Sequence, residues 1–437
     1  MKKIFSILLL SAVSAITLGQ VSKSMKVDIP GSLNSLFTME EKSSITTLSL
    51  TGEIDARDFV TMRDKMPNLT ELNLSEVRIN AYSGEDGTAT ETIYSANSIP
   101  KFAFMWNNTL SYGTPTSIVS IILPLSILSI DESAFMGCNK LKSITIPSSV
   151  NLIGGLAFQG CTSLTDIELP KALSSINELM FDGCKGLTTV KIPEQVTKIG
   201  KSSFAGCDRL SSILLPPSLT RIESSSFKGC SELSSIKIPN SVVQIDELAF
   251  AECANLKTVV LPSSLISIGT DLFYNCNNLV TIEIDKSNQN FMTEDGILYD
   301  KTKTKIITFP TSKHGNYKLP TTIKSIGNAL FYGSSIDSIV IPASVKSIGS
   351  YSFCECKSLS TVTIESSVYS IGSGAFESCT NLRTINLYSK VPTRLSTGVF
   401  AKINKSLVVL KVPKGTKGAY QLAIGWKEFK NIVELNF

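Results

Sequence analysis

Cysteine is the residue type here with the most chemistry to offer. Seven of the ten cysteines recur at a fixed step of 23: Cys138, Cys161, Cys184, Cys207, Cys230, Cys253 and Cys276. Regularly spaced thiols can pair as disulfides, hold zinc or act as nucleophiles, and each use has its own geometry. A structural zinc site gathers four ligands from short spacings. The chain has one histidine, His314, and one close cysteine pair, Cys354 and Cys356, with no partners nearby. A nucleophilic thiol needs an adjacent base, and none keeps step with the cysteines. Counting Cys356 and Cys379, nine of the ten fall at one position of a repeat. Stacked side chains at that position run parallel, with Cβ atoms more than about 4.5 Å apart against the ~3.8 Å a bridge prefers. The expectation is a buried ladder of reduced thiols acting as small hydrophobes, with Cys354 partly exposed.

Other candidate chemistry is thin. His314 lies in the polar run Thr311-Ser312-Lys313-His314-Gly315-Asn316 and reads as a solvated loop residue. The carboxylate pairs Glu40/Glu41 and Glu294/Asp295 fall in an expected cap and an expected turn. The many serines follow the repeat without a base to activate them. No phosphate loop or dinucleotide fingerprint occurs. No catalytic, cofactor-binding or metal-binding residue is assigned, and an enzyme is not expected.

The elements that place the thiols carry the same period. Phe135, Phe158, Phe181, Phe204, Phe227, Phe250 and Phe273 stand three residues ahead of the cysteines. An unbroken period of this length marks a solenoid, each repeat being one coil stacked on its neighbours. In one coil, Leu141, Ile144 and Ile146 point inward from a short strand while Ser143 and Thr145 point out. Pro147 ends the strand, since proline cannot donate a ladder hydrogen bond. Val150 and Ile153 suggest a shorter second strand. The stretch Gly155 to Cys161 reads as a tight helical or 3₁₀ turn that drops Phe158 inside. Gly154, Gly200 and Gly269 follow the second strand, but Asp131, Asn177, Glu223 and Asp246 share that position, which argues against a positive-φ requirement. Stacking at strand spacing makes the phenylalanines a continuous spine.

Along the chain, residues 1–19 have the build of a secretory signal peptide. Lys2 and Lys3 precede the apolar run Ile4 to Ala12, and small residues lead to Gly19, with Ala15 as an alternative cleavage point. No stretch has the length of a membrane span. Residues 20–116 form an N-terminal cap, degenerate repeats and a polar insert. The cap draws on Leu33, Leu36, Phe37 and Met39, and Asp55 to Met66 reads as a helix with Asp55 as N-cap. Regular repeats occupy 117–284, a hairpin-type irregular repeat 285–320, and regular repeats again 321–404. A C-terminal cap, 405–437, brings Tyr420, Ala423, Trp426 and Phe429 onto one stripe. The whole is one elongated domain of roughly fifteen coils at the strand spacing.

The unit Leu-x-x-Ile-x-Ile-Pro-x-x-Val-x-x-Ile-Gly-x-x-Ala-Phe-x-x-Cys, as in Leu141 to Cys161 and Leu359 to Cys379, resembles the BspA-like, or Treponema-type, bacterial leucine-rich repeats. Ile54 to Phe59, Asp295 to Tyr299, and Val412 to Gly415 with Gly425-Trp426-Lys427 are similar to flanking elements of this family in Bacteroidetes. The resemblance implies a leucine-rich repeat solenoid: stacked parallel β coils with short 3₁₀ or helical turns, a 23-residue repeat and helical caps at both ends. It also implies a surface or secreted protein adhering to host matrix proteins or other cells. It carries no shared catalytic or ligand residues.

Binding is then the expected role, and outward strand positions are where it would act. Formal charge is +4 for the whole chain, and +2 once Lys2 and Lys3 are removed, which supplies no footprint for nucleic acid. The outward positions expected on the concave side include Asp166, Glu168, Lys191, Leu214, Lys237, Val260 and Glu283. The aromatic insert at 80–116, with Tyr82, Tyr94, Trp106 and Tyr112, is a second candidate, Trp106 foremost. The chain is expected to be an exported monomer at the cell surface or outside it, binding a host matrix protein or glycan, with the periplasm as alternative location. The competing classes are a structural envelope protein and a hydrolase with its site in an insert.

Overall fold

The structure is a computed structural model that describes residues 19–90, 92–105 and 116–436. Nearly all of the expected signal peptide, and Trp106 and Tyr112 of the insert, lie outside the described residues. The chain winds into a parallel β-solenoid of about eighteen turns with a repeat of about 23 residues. This exceeds the fifteen coils read from the motif, because the sheet continues at both ends. Ser22–Val27 pairs with Thr47–Ile54 before the repeats begin, and Val409–Pro413 pairs with Asn431–Leu435 after they finish.

Each coil has three walls. The first is the Leu-x-x-Ile-x-Ile strand, stacked in parallel with a one-coil register: Ser120 on Ser143, Thr189 on Ser212, Ser235 on Thr258. The second is a two-residue strand such as Lys198–Ile199, placed on Arg221–Ile222. Gly154 follows this wall because of crowding: a Cβ there would lie 2.5 Å from the backbone nitrogen of Glu132 in the preceding coil. Its φ is not positive. Side chains at the same position in other coils show that the chain can shift to admit them.

The third wall is the Phe-to-Cys turn. It consists of overlapping i to i+3 turns, such as Met136 N–H to Ser133 C=O and Cys138 N–H to Phe135 C=O, and not of a continuous 3₁₀ helix. Left-handed residues interrupt it two before and two after each Phe, for example Leu156 (φ 59°) and Gly160 (φ 71°). Glycine relieves the strain at the second of these positions.

The spine is present. Rings from Phe104 through Phe135 to Phe273 stack with centroids 5.4–5.9 Å apart. Phe59 joins from the N-terminal helix Ala56–Lys65, whose capping box pairs Asp55 with Asp58. A second run goes from Phe309 through Phe331, Phe353 and Phe376 to Phe400 and Trp426. Between the two runs lies the irregular repeat, where Phe291–Glu294, Ile297–Asp300 and Ile306–Thr308 form an antiparallel sheet. The apolar interior divides there into two clusters. At the C-terminal end Tyr420, Trp426 and Phe429 are buried. At the N-terminal end Leu33 and Phe37 are buried, while Leu36 and Met39 turn outward.

All ten cysteines are free and buried. Each ladder thiol donates to the carbonyl of the spine Phe one coil earlier, as in Cys184 Sγ to Phe158 O at 3.1 Å and Cys207 Sγ to Phe181 O at 3.2 Å. The Phe158 and Phe181 carbonyls also accept the N–H groups of Cys161 and Cys184 in their own coils, so there the thiol satisfies the second lone pair. Burial pushes the thiols of Cys138, Cys184 and Cys276 up to about 12. Cys354, expected to be partly exposed, is only 6 % exposed. Tyr332 and Glu377, with longer side chains, hold the same position in the coils on either side and lie close enough to interact with its thiol.

Candidate binding surface

Period-two alternation on the first wall sets the outward row. Within Thr189–Lys191, Val190 faces the core and Thr189 and Lys191 face out. Stacking then lines up equivalent residues. Glu168 sits beside Lys191, and Lys191 beside Leu214. Lys237 sits beside Val260, and Val260 beside Glu283. These six residues span about 24 Å at the strand spacing. Asp166 stands two residues before Glu168 and accepts the hydroxyl of Thr165 at 2.9 Å. All seven are exposed, Leu214 by 73 % and Val260 by 48 %.

The electrostatics of this row are open. Opposite charges on adjacent strands attract mildly, yet Glu168 and Lys191 form no ion pair among the described residues, nor do Lys237 and Glu283. Several charged groups elsewhere are paired, such as Arg221 with Asp246 at 2.8 Å, Lys228 with Glu252 at 3.4 Å and Lys402 with Glu377 at 2.8 Å. The row therefore presents two carboxylates, two ammonium groups and two apolar side chains that the fold itself does not consume.

Of the aromatic insert, Tyr94 is buried and its hydroxyl bonds to Ala89, which removes it as a contact residue. Tyr82 lies on its ring, centroids 6.0 Å apart, with the Arg57 guanidinium 4.4 Å from the Tyr82 centroid. The candidate Trp106 lies outside the described residues. His314 is exposed in a loop. Among the described residues no group of three or more His, Cys, Asp or Glu could hold a metal ion, and no helix is long and apolar enough to cross a membrane.

The outward-strand reading missed one cluster. Leu125, Leu128 and Leu152 are exposed on and beside the second wall, and Ile122 on the first. The signal was available. Leu125 replaces the Ser, Lys or Glu that follows the strand-ending proline in the next three coils, and Leu152 sits where neighbouring coils carry Ser129 and Ser175.

Comparison with known proteins agrees with this architecture. The family model described as the BspA type leucine-rich repeat region matches residues 97–234, 220–316 and 302–424. A leucine-rich cell surface protein from Faecalibacterium prausnitzii is 26% identical over 79% of this chain and 84% of its own, with a TM-score of 0.54. A leucine-rich repeat protein from Eubacterium ventriosum is 25% identical over 59% of this chain and 68% of its own, with a TM-score of 0.51. No curated protein matches the sequence. The repeat, the spine and the matched span together place this chain in the BspA type leucine-rich repeat family.

Proposed function

We propose that the protein is an exported, non-catalytic adhesion module that binds a host matrix protein or glycan through the outward row from Glu168 to Glu283. The observation that carries this reading is the row itself: exposed charges without intramolecular partners, interleaved with Leu214 and Val260 on stacked parallel strands. Presentation on paired strands reduces the ordering cost of association, and mixed apolar and charged groups supply contact area together with specificity. Family membership and the similarity to a protein described as a cell surface protein support an external location.

The test is an array of host matrix proteins and glycans probed with the chain from residue 20 onward, repeated with Lys191→Glu, Leu214→Asp and Lys237→Glu combined. Binding should fall by about two orders of magnitude if three central contacts of this kind are lost. Unchanged binding would remove the row from consideration, and a blank array with the wild-type chain would count against adhesion altogether.

A further inference from the structure

The third wall carries a hydrogen-bond pattern that the first two lack. In the parallel strands, peptide groups alternate in direction. In the turn wall every second peptide points the same way along the solenoid axis. The N–H of each spine Phe donates to the coil that follows: Phe135 to Ala157 at 2.9 Å, Phe204 to Ser226 at 2.8 Å, Phe250 to Leu272 at 3.1 Å. Residues two before and two after the Phe do the same, as in Leu248 to Thr270 at 3.1 Å and Glu252 to Tyr274 at 2.7 Å. Three columns of aligned peptides result.

The columns stop at the coil of Phe273 and restart at the coil of Phe331. There Ala329, Phe331 and Gly333 donate onward to Ser350, Ser352 and Cys354. The irregular repeat between them contributes no turn to this wall. Among the described residues, the N–H groups of Asp271, Phe273 and Asn275 have no acceptor, and the carbonyls of Asn328, Leu330 and Tyr332 have no donor. Asp271 and Asn275 keep the left-handed φ of their equivalents, 54° and 58°, so their N–H groups retain the common direction. Between the two lips is a cavity of about 430 Å³, within the size range of ligand sites. A Cβ added at Gly327 meets nothing within 4 Å, whereas at the equivalent Gly349 it would strike the preceding coil at 2.6 Å. Ile268, Ile307 and Leu330 are half-buried on the cavity floor, and the rings of Tyr274 and Tyr332 approach to 5.4 Å across the gap.

We propose that this gap receives one peptide segment of a partner protein in the turn conformation of a regular coil, whose backbone supplies the missing rung. A peptide group carries an acceptor on one edge and a donor on the other, so every second group of the guest can satisfy both lips at once. A free anion suits a row of N–H groups, but here it would face the carbonyl row and the Asp271 carboxylate. One rung is the right thickness, because on the neighbouring wall a single segment intervenes: Ser312 donates to Leu279 and Ser335 to Thr311, and Phe309 of that segment lies 4.6 Å from Phe331. For the same reason the central residue of the guest must be small. Matching the alternation at Asp271 and Asn275 requires positive φ at two guest positions four residues apart, which glycine accepts most readily. This slot is on a different wall from the Glu168–Glu283 row and does not depend on it.

The probe is an acetylated, amidated Gly-Ala-Ala-Ala-Gly peptide, titrated at millimolar concentration into the chain from residue 20 onward. Amide hydrogen exchange should slow by about tenfold at Asp271, Phe273 and Asn275 and stay unchanged at Val190. The variant Gly327→Trp, whose added side chain has open space at its Cβ and would occupy the slot, should abolish the peptide-dependent protection while the sheet amides stay protected. The same peptide with N-methylated amides should give no protection. Equal protection by the N-methylated peptide, by acetate or by N-acetylglucosamine oligomers would overturn the proposal, as would no protection by the probe itself.

Discussion

Raising the pH should unfold this protein through its sulfur ladder. The thiols of Cys138, Cys184 and Cys276 are held at about 12 by burial, against an ordinary value of 9.0. Below pH 9 both the folded and the unfolded chain keep these protons, so the full stability is present. Above pH 9 the unfolded chain releases them while the folded chain cannot, and stability is lost as pH rises toward 12. At pH 10 each such thiol costs about 1.4 kcal/mol, and these three together about 4 kcal/mol. Cys161, Cys207, Cys230 and Cys253 are held well above the ordinary value by the same burial and add to the slope. A domain's whole stability is about 5–15 kcal/mol, so the fold should be clearly weakened at pH 10 and should fail as the pH rises further. Circular dichroism and thiolate absorbance, followed together from pH 8 to pH 11, should show one coincident transition. The tyrosines with raised values do not confuse the onset, since Tyr299 and Tyr332, also held up near 12, join only above their ordinary value of 10.0. The variant Cys184→Ala should lower the slope by about 1.4 kcal/mol per pH unit. Thiols that titrate near pH 9 while the sheet signal persists would refute the reasoning.

Two further outcomes test the packing. Phe204 is fully buried between rings 5.4 Å away on both sides, so Phe204→Ala should cost about 4 kcal/mol. The loss should concentrate in the adjoining coils, because each repeat contacts only its neighbours. Urea unfolding with residue-resolved hydrogen exchange reads both quantities, and a loss below about 1.5 kcal/mol would contradict the spine. At the N-terminal end the Asp58 carboxylate accepts the N–H groups of Gly31, Leu33 and Asp55 at 2.7, 2.9 and 2.9 Å. Asp58→Ala should cost about 3 kcal/mol and expose residues 22–44 to protease first, with Asp58→Asn recovering part of the loss. Equal protease resistance of the Ala variant and the parent would show that this carboxylate does not tie the segment down.

The sequence made the repeated parts of the fold legible because each is a side-chain preference multiplied along the chain. A single buried Phe says little, but Phe at a constant step states both inwardness and stacking. The outward row from Glu168 to Glu283 followed from strand alternation for the same reason. The thiol's hydrogen bond to a neighbouring coil's carbonyl was not legible, since spacing alone cannot distinguish a small hydrophobe from a donor. Cys354 was misjudged because its exposure depends on the lengths of Tyr332 and Glu377, residues of other coils. The slot at residues 271–275 and 328–332 was invisible for a deeper reason. It is made of backbone groups, and it exists because the irregular repeat omits a turn.

That omission also has a mechanical consequence. A rod pulled from its ends parts where the fewest interactions cross a plane. Here the aligned peptide columns are cut and the oily interior is divided at the same place, next to the antiparallel hairpin. Shear transmitted through a tethered partner would therefore open the molecule at this seam first, leaving two rigid segments joined by a short strap. The protein would lengthen in one step while its sheet faces stayed folded.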